Sequence, residues 1–311
     1  MIQTELDASQ RRSQTRGHGR GPETMKTIMV ATDFSERSDR ALRRATLLAR
    51  QFEATMRLVH VVDDDQPRRI VDAERDEATT LLRQMAATLR GVDSVACETR
   101  VILASPFVGI AQAVADDAPD LLVIGPHRRQ VLRDVFVGTT AERTIRSVHC
   151  PVLMVNATPA GHYRHVLQTT DLSAGSRDAL LRLQALGLGD HARTLLLYVF
   201  DAPALRLAFS HSIPQDDQKH YLEDEQRDAA LELARFLSST DLPRLRQIVR
   251  YEASPAPHEI LKAAGEEQAD LIVMSTHGRS GLAKMLIGSV TEQVLRTAQI
   301  DVLAIPPQRG E

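Results

Sequence analysis

The chain has 311 residues, of which 43% are hydrophobic and 25% charged, with a formal net charge of −3 and a pI near 6.4. This is the composition of an ordinary globular protein, and its nearly balanced charge argues against nucleic acid or an anionic membrane as a partner. The 2 cysteines are too few for a disulfide framework and suit a reducing compartment, and no hydrophobic run is long enough to span a bilayer. We therefore expect a cytoplasmic protein.

The first 24 residues are polar and mildly basic, with almost nothing to bury. We interpret residues 1–24 as a disordered N-terminal tail, or as the product of a start codon upstream of Met25. A nucleic-acid-binding arm is the less favoured interpretation, because the arginines of this segment are not accompanied by aromatic residues.

From residue 25 onward, short apolar runs alternate with helical patterns. The run 27–32 is rich in β-branched residues and too short for a helix, which predicts a buried parallel strand. Ser35 then occupies an N-cap position before a helix over 37–52. The other elements predicted in this half are strand 57–62, helix 72–89, strand 96–103, helix 107–115, strand 121–124, helix 140–146 and strand 152–155.

The same order of elements returns after residue 164. The predicted elements there are strand 165–170, helix 176–186, strand 193–199, a long helix within 224–237, strand 246–251, helix 258–267, strand 271–274, helix 291–298 and strand 302–305. Strands that alternate with helices predict parallel sheets with right-handed crossovers. The stretch 202–220 is longer and more polar than its counterpart in the first half. It could cover a ligand or only wrap the surface, and we favour the surface loop.

The two halves also share individual residues. The segment 30–42 is repeated 138 positions later, so that Asp33 and Ser35 return as Asp171 and Ser173. The repeat predicts a domain over 25–156, a linker over 157–163 and a second domain over 164–307. Each domain is expected to be a doubly wound α/β unit, a five-stranded parallel sheet with helices on both faces, like the adenine-nucleotide hydrolase and Rossmann folds.

A glycine-rich segment follows the fourth strand of the second half. The strand ends at Ser275, Gly278 follows, and the pair Gly288-Ser289 begins a helix. Glycines let main-chain N–H groups approach an oxyanion closely, and a helix N-terminus adds unpaired donors and the positive end of a dipole. Hydroxyl groups, including that of Thr291, can add further donors. This pattern predicts a phosphate-binding site.

An acidic residue follows the first strand in each half. In a doubly wound sheet the first and fourth strands flank the ligand crevice, so Asp171 is expected to face the phosphate-binding segment. A carboxylate at this position suits a ribose hydroxyl or a bound Mg²⁺. The alternative is that Asp33 and Asp171 only cap the next helix. We favour the ligand role, because Ser35 and Ser173 already occupy the cap positions.

These residues resemble the universal stress protein superfamily in its tandem two-domain form, over nearly all of 25–307. The ATP-binding members of that family carry a Gly-x-x-Gly-x9-Gly-(Ser/Thr) motif after the fourth strand, an Asp after the first strand and a Val after the second whose backbone contacts adenine. The positions implied in the second half are Asp171, Val199, Ser275, Gly278, Gly288 and Ser289. Those implied in the first half are Asp33, Val61, Gly125, Gly138 and Thr139.

The sequence departs from the motif once in each half. Ser275 replaces the first glycine of the second half, and we expect this small residue to be tolerated. Arg128 replaces the second glycine of the first half, where its side chain either pairs with a phosphate or fills the site. We expect the second half to bind ATP better and the first half to be degenerate or selective.

The resemblance implies a cytoplasmic stress-response protein that binds ATP, with or without Mg²⁺, and acts through nucleotide-dependent changes of conformation or partners. The alternative is a nucleotide-free structural or interaction module of the same fold. We expect no enzyme activity beyond slow ATP hydrolysis, because the chain shows no Ser-His-Asp set, no zinc-ligand spacing and no placed base or arginine finger. The fifth strands are expected to pair inside the chain as a pseudo-dimer, and a homodimer of whole chains stays open.

Overall fold

A computed structural model describes residues 25–126, 140–203, 215–238, 240, 242, 245–277 and 287–307. The strands of the first half are β1 (Thr27–Ala31), β2 (Thr55–Val62), β3 (Cys97–Leu103), β4 (Leu121–Ile124) and β5 (Val152–Met154). Those of the second are β6 (His165–Thr170), β7 (Arg193–Phe200), β8 (Arg246–Tyr251), β9 (Leu271–Ser275) and β10 (Asp301–Ile305). The helices are α1 (Glu36–Phe52), α2 (Arg68–Val92), α3 (Pro106–Asp117), α4 (Thr140–Ser147), α5 (Ala174–Leu186), α6 (Gln215–Ser238), α7 (Ala256–Glu266) and α8 (Ser289–Thr297).

The ten strands that the structure describes belong to one sheet, in the order β3-β2-β1-β4-β5-β10-β9-β6-β7-β8. Within each half the strands are parallel, and the chain reverses its winding direction beside the half's first strand, β1 or β6. This is the predicted α/β, doubly wound topology, which creates a crevice at the carboxyl ends of the first and fourth strands. The two predicted five-stranded sheets are thus halves of a larger one.

The two halves meet through β5 and β10, which pair antiparallel. Leu153 lies opposite Leu303, with Val152 opposite Ala304 and Met154 opposite Val302. The halves are therefore related by a local twofold axis through the Leu153–Leu303 pair. The internal pairing of the fifth strands predicted from the sequence is present, and neither strand is an exposed edge.

The strands are apolar on both sides, because helices cover both faces of the sheet. In β1, Ile28 and Val30 point into one core while Met29 points into the other, and all three have no exposed surface. Helices α1, α2 and α5 pack on the first face, and α3, α4, α7 and α8 on the second. Residues of α6 form a smaller cluster with β7.

Most predicted elements occur within a few residues of their expected bounds, but two helices are longer than predicted. Helix α2 begins at Arg68 rather than at residue 72. Helix α6 begins at Gln215, so the prediction of a surface loop over 202–220 was wrong for 215–220, and 204–214 lies outside the described residues. The polar start of α6 is helical because Tyr221 and Leu222 pack against the α6–β7 cluster.

A buried carboxylate joins the linker to both halves. Asp301, at the start of β10, has no exposed surface and accepts four hydrogen bonds. The donors are Arg44 Nε at 3.1 Å, the Tyr163 hydroxyl at 2.7 Å and the backbone N–H groups of Asn156 and Ala157 at 2.9 and 3.0 Å. We call these five residues the Asp301 cluster. It ties α1, the linker and β10 together.

Helix α1 also holds the linker through its arginines. Arg40, Arg43 and Arg44 donate to the carbonyls of Asn156, Pro159 and Gly161 at 3.0, 3.2 and 2.6 Å. The Arg44 guanidinium lies 4.1 Å from the centroid of the Tyr163 ring, as a cation–π contact. Burial and the neighbouring Asp301 charge raise the pKa of Tyr163 well above its usual value. The linker is thus bound along its length by the first half.

Among the residues that the structure describes, no helix is both long and apolar enough to cross a membrane. The same residues contain no group of three Asp, Glu, His or Cys side chains placed to hold a metal ion.

Candidate functional site

The acidic residues after β1 and β6 form the same turn. The Asp33 carboxylate accepts hydrogen bonds from the backbone N–H and the hydroxyl of Ser35, at 3.1 and 2.5 Å. Asp171 accepts the same two bonds from Ser173, at 3.1 and 2.6 Å. The intervening Phe34 has a positive φ of 58°, and its counterpart in the second half has one of 63°. Each aspartate therefore stands at the crevice, held by the residue that starts the next helix.

Both helices that follow are capped by serine, as predicted. The Ser173 hydroxyl accepts the Ser176 N–H at 3.1 Å, and Ser35 accepts the Ser38 N–H at 3.5 Å. The aspartates are thus not the N-caps of α1 and α5. The aspartates do accept hydrogen bonds from the capping serines. The alternative that they serve the start of the next helix therefore holds in part.

The Asp33 carboxylate is stabilised in its ionised form. Partial burial opposes ionisation, but hydrogen bonds from Ser35 and Ser38 and the charge of Arg37 outweigh it, so the pKa of Asp33 lies below its usual value. Arg37 Nη2 lies 3.5 Å from the second carboxylate oxygen. An anionic carboxylate at this strand end can accept hydrogen bonds from sugar hydroxyls.

A pair of hydroxyl groups that was not predicted from the sequence lies beneath each of these turns. Thr32 Oγ1 lies 3.0 Å from Ser38 Oγ and accepts the Phe34 N–H, also at 3.0 Å. Thr170 and Ser176 make the equivalent contact at 2.9 Å. All four side chains are buried, so they build the turn and do not face a ligand. Their recurrence in the repeated segment was the signal that could have identified them.

Val61 and Val199 lie where β2 and β7 extend past the first strand of each half. The β1–β2 ladder ends with Ala31 opposite Val59, and the β6–β7 ladder ends with Thr170 opposite Tyr198. Val59 O accepts the Thr32 N–H, so the backbone groups of Val61, two residues on, point to the same side beyond the ladder. The backbone N–H and C=O groups of Val61 and Val199 therefore face the crevice beyond the last pair of each ladder. Such groups suit the hydrogen-bonding edge of a planar base.

The end of β9 is hydrogen-bonded to the start of helix α8. The Ser275 hydroxyl donates to His277 O at 2.8 Å, and Thr291 of α8 donates its hydroxyl to Ser275 O, also at 2.8 Å. The N–H of Gly288 donates to Thr276 O at 2.8 Å. The prediction that Thr291 offers its hydroxyl to a phosphate was therefore wrong, because that buried hydroxyl holds α8 against the strand end.

The start of α8 has no side-chain cap in the described structure. Gly288 is its N-cap, and the first intrahelical bond runs from Glu292 N to Gly288 O at 2.9 Å. The N–H groups of Ser289, Val290 and Thr291 precede that bond and have no partner within the helix. These donors and the helix dipole suit an anion.

The first strand–helix turn and the loop after the fourth strand approach closely in each half, and a glycine stands at the contact. In the first half it is Gly125, whose added Cβ would lie 2.9 Å from Arg37 O. In the second half it is Gly175, whose added Cβ would lie 3.0 Å from His277 O. Gly175 is the counterpart of Arg37, and Ser275 that of Gly125. The glycine at the contact thus follows the fourth strand in the first half but lies in the strand–helix turn in the second half. Because Gly175 provides the space there, the second half can carry Ser275 at the end of its fourth strand.

Replacement of Gly125 with Ala is expected to destabilise the protein by about 1–3 kcal/mol, because the new methyl group would meet the backbone of α1 rather than a flexible side chain. Urea denaturation would measure the change. The matched control is Gly91→Ala near the end of α2, where nothing lies within 4 Å and helix propensity favours Ala by about 0.5–1 kcal/mol. Equal stabilities of the two variants would contradict the contact.

The structure thus brings five of the predicted second-half residues to one edge of the sheet. Asp171, Val199 and Ser275 stand at or beyond the ends of adjacent strands, and Gly288 and Ser289 start the helix bound to Ser275. Asp33, Val61 and Gly125 take equivalent places in the first half. Gly278, Gly138, Thr139 and Arg128 lie outside the described residues, so their predicted roles stay predictions.

The model of the universal stress protein family matches the chain twice, over residues 24–156 and 162–306. The chain belongs to the universal stress protein family. Its tandem form is shared by universal stress protein E of Salmonella typhi, which is 23% identical over 302 residues and covers 91% of this chain and 94% of its own length. A role in the stress response goes with membership of this family.

Two further proteins are similar either to one half of the chain or to its overall fold. Universal stress protein A homolog 1 of Coxiella burnetii is 30% identical over 145 residues, which are 46% of this chain and 96% of that protein. A crystal structure of a universal stress protein from Archaeoglobus fulgidus superposes with a TM-score of 0.66 at 16% identity, covering 92% of this chain and 97% of that one. The second similarity supports the two-half architecture of this universal stress protein.

His60 has a structural role in this universal stress protein. Its Nδ1 lies 2.8 Å from Thr32 O, and its ring stacks on Phe34 with centroids 4.4 Å apart. These contacts pack His60 against the turn that follows β1. Cys150 is buried, which raises the pKa of its thiol to about 12, so it is not a poised nucleophile.

Proposed function

We propose that this universal stress protein binds an adenine nucleotide at the crevice of its second half. The observation that carries the proposal is the start of α8. Its backbone donors lack a side-chain cap, and the Thr291–Ser275 bond places them beside the end of β9, the strand next to β6 and Asp171. Triphosphate oxygens would accept hydrogen bonds from the α8 N-terminus, and Asp171 would accept them from the ribose.

The base would lie against the extended end of β7. The carbonyl of Phe200 accepts the Glu252 N–H on the β8 side, so the backbone of Val199 points to the β6 side, past the last pair of that ladder. A backbone N–H and C=O side by side match the donor and acceptor edge of adenine. Mg²⁺, if bound with the phosphates, would find an oxygen ligand in Asp171.

We propose that binding acts by changing conformation or partners in the cytoplasm, rather than by turnover. No described side chain at this edge stands as a general base or an arginine finger, so any ATP hydrolysis would be slow. The first half is proposed to bind nucleotide more weakly or with other selectivity, because Arg128 stands at a motif glycine.

The test is a thermal-shift titration of the full chain with ATP, ATP plus Mg²⁺, AMP and a cyclic nucleotide. A ligand that binds only the folded form at 100 times its Kd stabilises it by about 2.7 kcal/mol, so the melting temperature should rise by several degrees with at least one adenine nucleotide. The nucleotide content of the purified protein provides an independent reading. No shift with any of them, and no retained nucleotide, would favour the alternative of a nucleotide-free interaction module.

A further inference from the structure

The last helices of the two halves exchange ion pairs across the local twofold axis. Helix α4 carries Glu142 in its first turn and Arg146 one turn later, and α8 carries Glu292 and Arg296 at the equivalent places. Arg146 Nη2 lies 3.1 Å from Glu292 Oε2. Arg296 Nε and Nη2 lie 2.6 and 3.1 Å from the two oxygens of Glu142. Each first-turn carboxylate is thus bound by an arginine of the other half.

The exchange is unequal. Arg296 also reaches Glu292 of its own helix at 2.7 Å, so one guanidinium bridges both carboxylates. The hydrogen bonds with Glu142 raise the pKa of Arg296 above its usual value. Arg146 makes its ion pair with Glu292 only through Nη2, and its buried Nε has no hydrogen-bond partner in the described structure. Glu142 is 5% exposed and Glu292 25% exposed, so neither pair is a fully solvated surface contact.

These carboxylates lie within one turn of the helix ends where the phosphates would bind. A carboxylate in the first turn interacts favourably with the positive N-terminal end of the helix dipole. When a phosphate binds at the same helix N-terminus, the carboxylate repels it. A partly buried charge is screened less by salt than an exposed one. The arginine from the opposite half neutralises that repulsion.

We propose that Arg146 is a positioning residue for the nucleotide site of the second half, neutralising Glu292 so that the α8 N-terminus can receive a polyphosphate. Arg296 does the same for Glu142 and the start of α4. The inference rests on the proposed function and adds that each half completes the binding helix of the other. A second half separated from the first would lose Arg146 and keep only Arg296 of its own helix against Glu292.

The experiment compares ATP affinity by isothermal titration calorimetry of the full chain carrying Arg146→Met, Glu292→Gln or both. Arg146→Met is expected to weaken binding by about three- to tenfold, since Arg296 still contacts Glu292. Glu292→Gln should bind at least as tightly as the unmodified protein. The double variant should lie within about twofold of Glu292→Gln, because the repulsion that Arg146 offsets is gone.

Arg143→Met is the matched control, since it removes an equal charge from the same helix, where Arg143 stacks on Phe107 of its own half at 3.5 Å. Its ATP affinity should be unchanged. Arg146→Lys keeps the charge and should stay within about threefold of the unmodified protein, which also covers the case in which Arg146→Met fails to fold.

The outcomes separate the two proposals. Absence of binding of any adenine nucleotide by the unmodified protein would overturn the proposed function and this inference together, whereas binding of another adenine nucleotide but not ATP would overturn only the inference. ATP binding that Arg146→Met leaves unchanged, or weakens no more than Arg143→Met does, would overturn only the inference. The inference would also be overturned if Arg146→Met lowered the melting temperature without changing the ATP affinity, or if Glu292→Gln bound ATP more weakly. Either result would show that the ion pairs between α4 and α8 only hold the two halves together.

Discussion

Replacement of Asp301 with Ala is expected to lower the free energy of unfolding by about 3–5 kcal/mol, the cost of removing one partner from a buried ion pair. The Arg44 guanidinium, whose side chain is 6% exposed, would lose its carboxylate. The Tyr163 hydroxyl and two linker N–H groups would lose their acceptor at the same time. Buried donors without partners account for the large effect.

Urea denaturation followed by circular dichroism would measure this change. The matched control is Glu98→Ala, which removes a carboxylate that lies 3.1 Å from Arg57 Nε. The Glu98 side chain is 67% exposed. Exposed pairs of this kind contribute at most about 1 kcal/mol. Similar losses in the two variants would show that the Asp301 cluster contributes no more than a surface contact.

Replacement of Gly288 with Asp is expected to weaken nucleotide binding by about a hundredfold or more while leaving the protein folded. Gly288 is the N-cap of α8 with φ −58° and ψ 141°, a conformation that any residue adopts. Aspartate is a favoured N-cap residue, so its carboxylate would accept the N–H groups of the first turn. It would occupy the donors that a phosphate needs and place a negative charge beside them.

The thermal-shift titration with ATP measures this loss, and the melting temperature without ligand should stay the same or rise. Gly288→Asn separates the two contributions, because asparagine caps the helix equally well without the charge and should weaken binding less. Gly138→Asp in the first half should have a smaller effect than Gly288→Asp. If Gly138→Asp abolishes the shift and Gly288→Asp does not, nucleotide binds the first half instead.

The fold was predictable from the sequence because its determinants are local. Short β-branched runs between amphipathic segments encode buried parallel strands and covering helices, and the serine caps of α1 and α5 lie next to the helices they start. The repeat added the tandem organisation, and the resemblance to the universal stress protein family implied the internal pairing of the fifth strands. The polar start of α6 was misjudged because its helical state depends on Tyr221 and Leu222 packing against β7.

The sequence by itself also determined which residue types stand at the strand ends, and hence the aspartates and the second-half glycines of the candidate site. Its valines were implied by the resemblance to the universal stress protein family. Only the tertiary structure decided that the Thr291 hydroxyl holds the end of β9. It also decided that Gly175 permits in the second half the close approach that Gly125 permits in the first. Finally, it decided that Glu142 and Glu292 are each bound by an arginine of the other half. The residues of the Asp301–Arg44 pair lie 257 positions apart. No local pattern encodes such a pairing, because it depends on which charged side chains the packed helices and linker bring together as water is excluded.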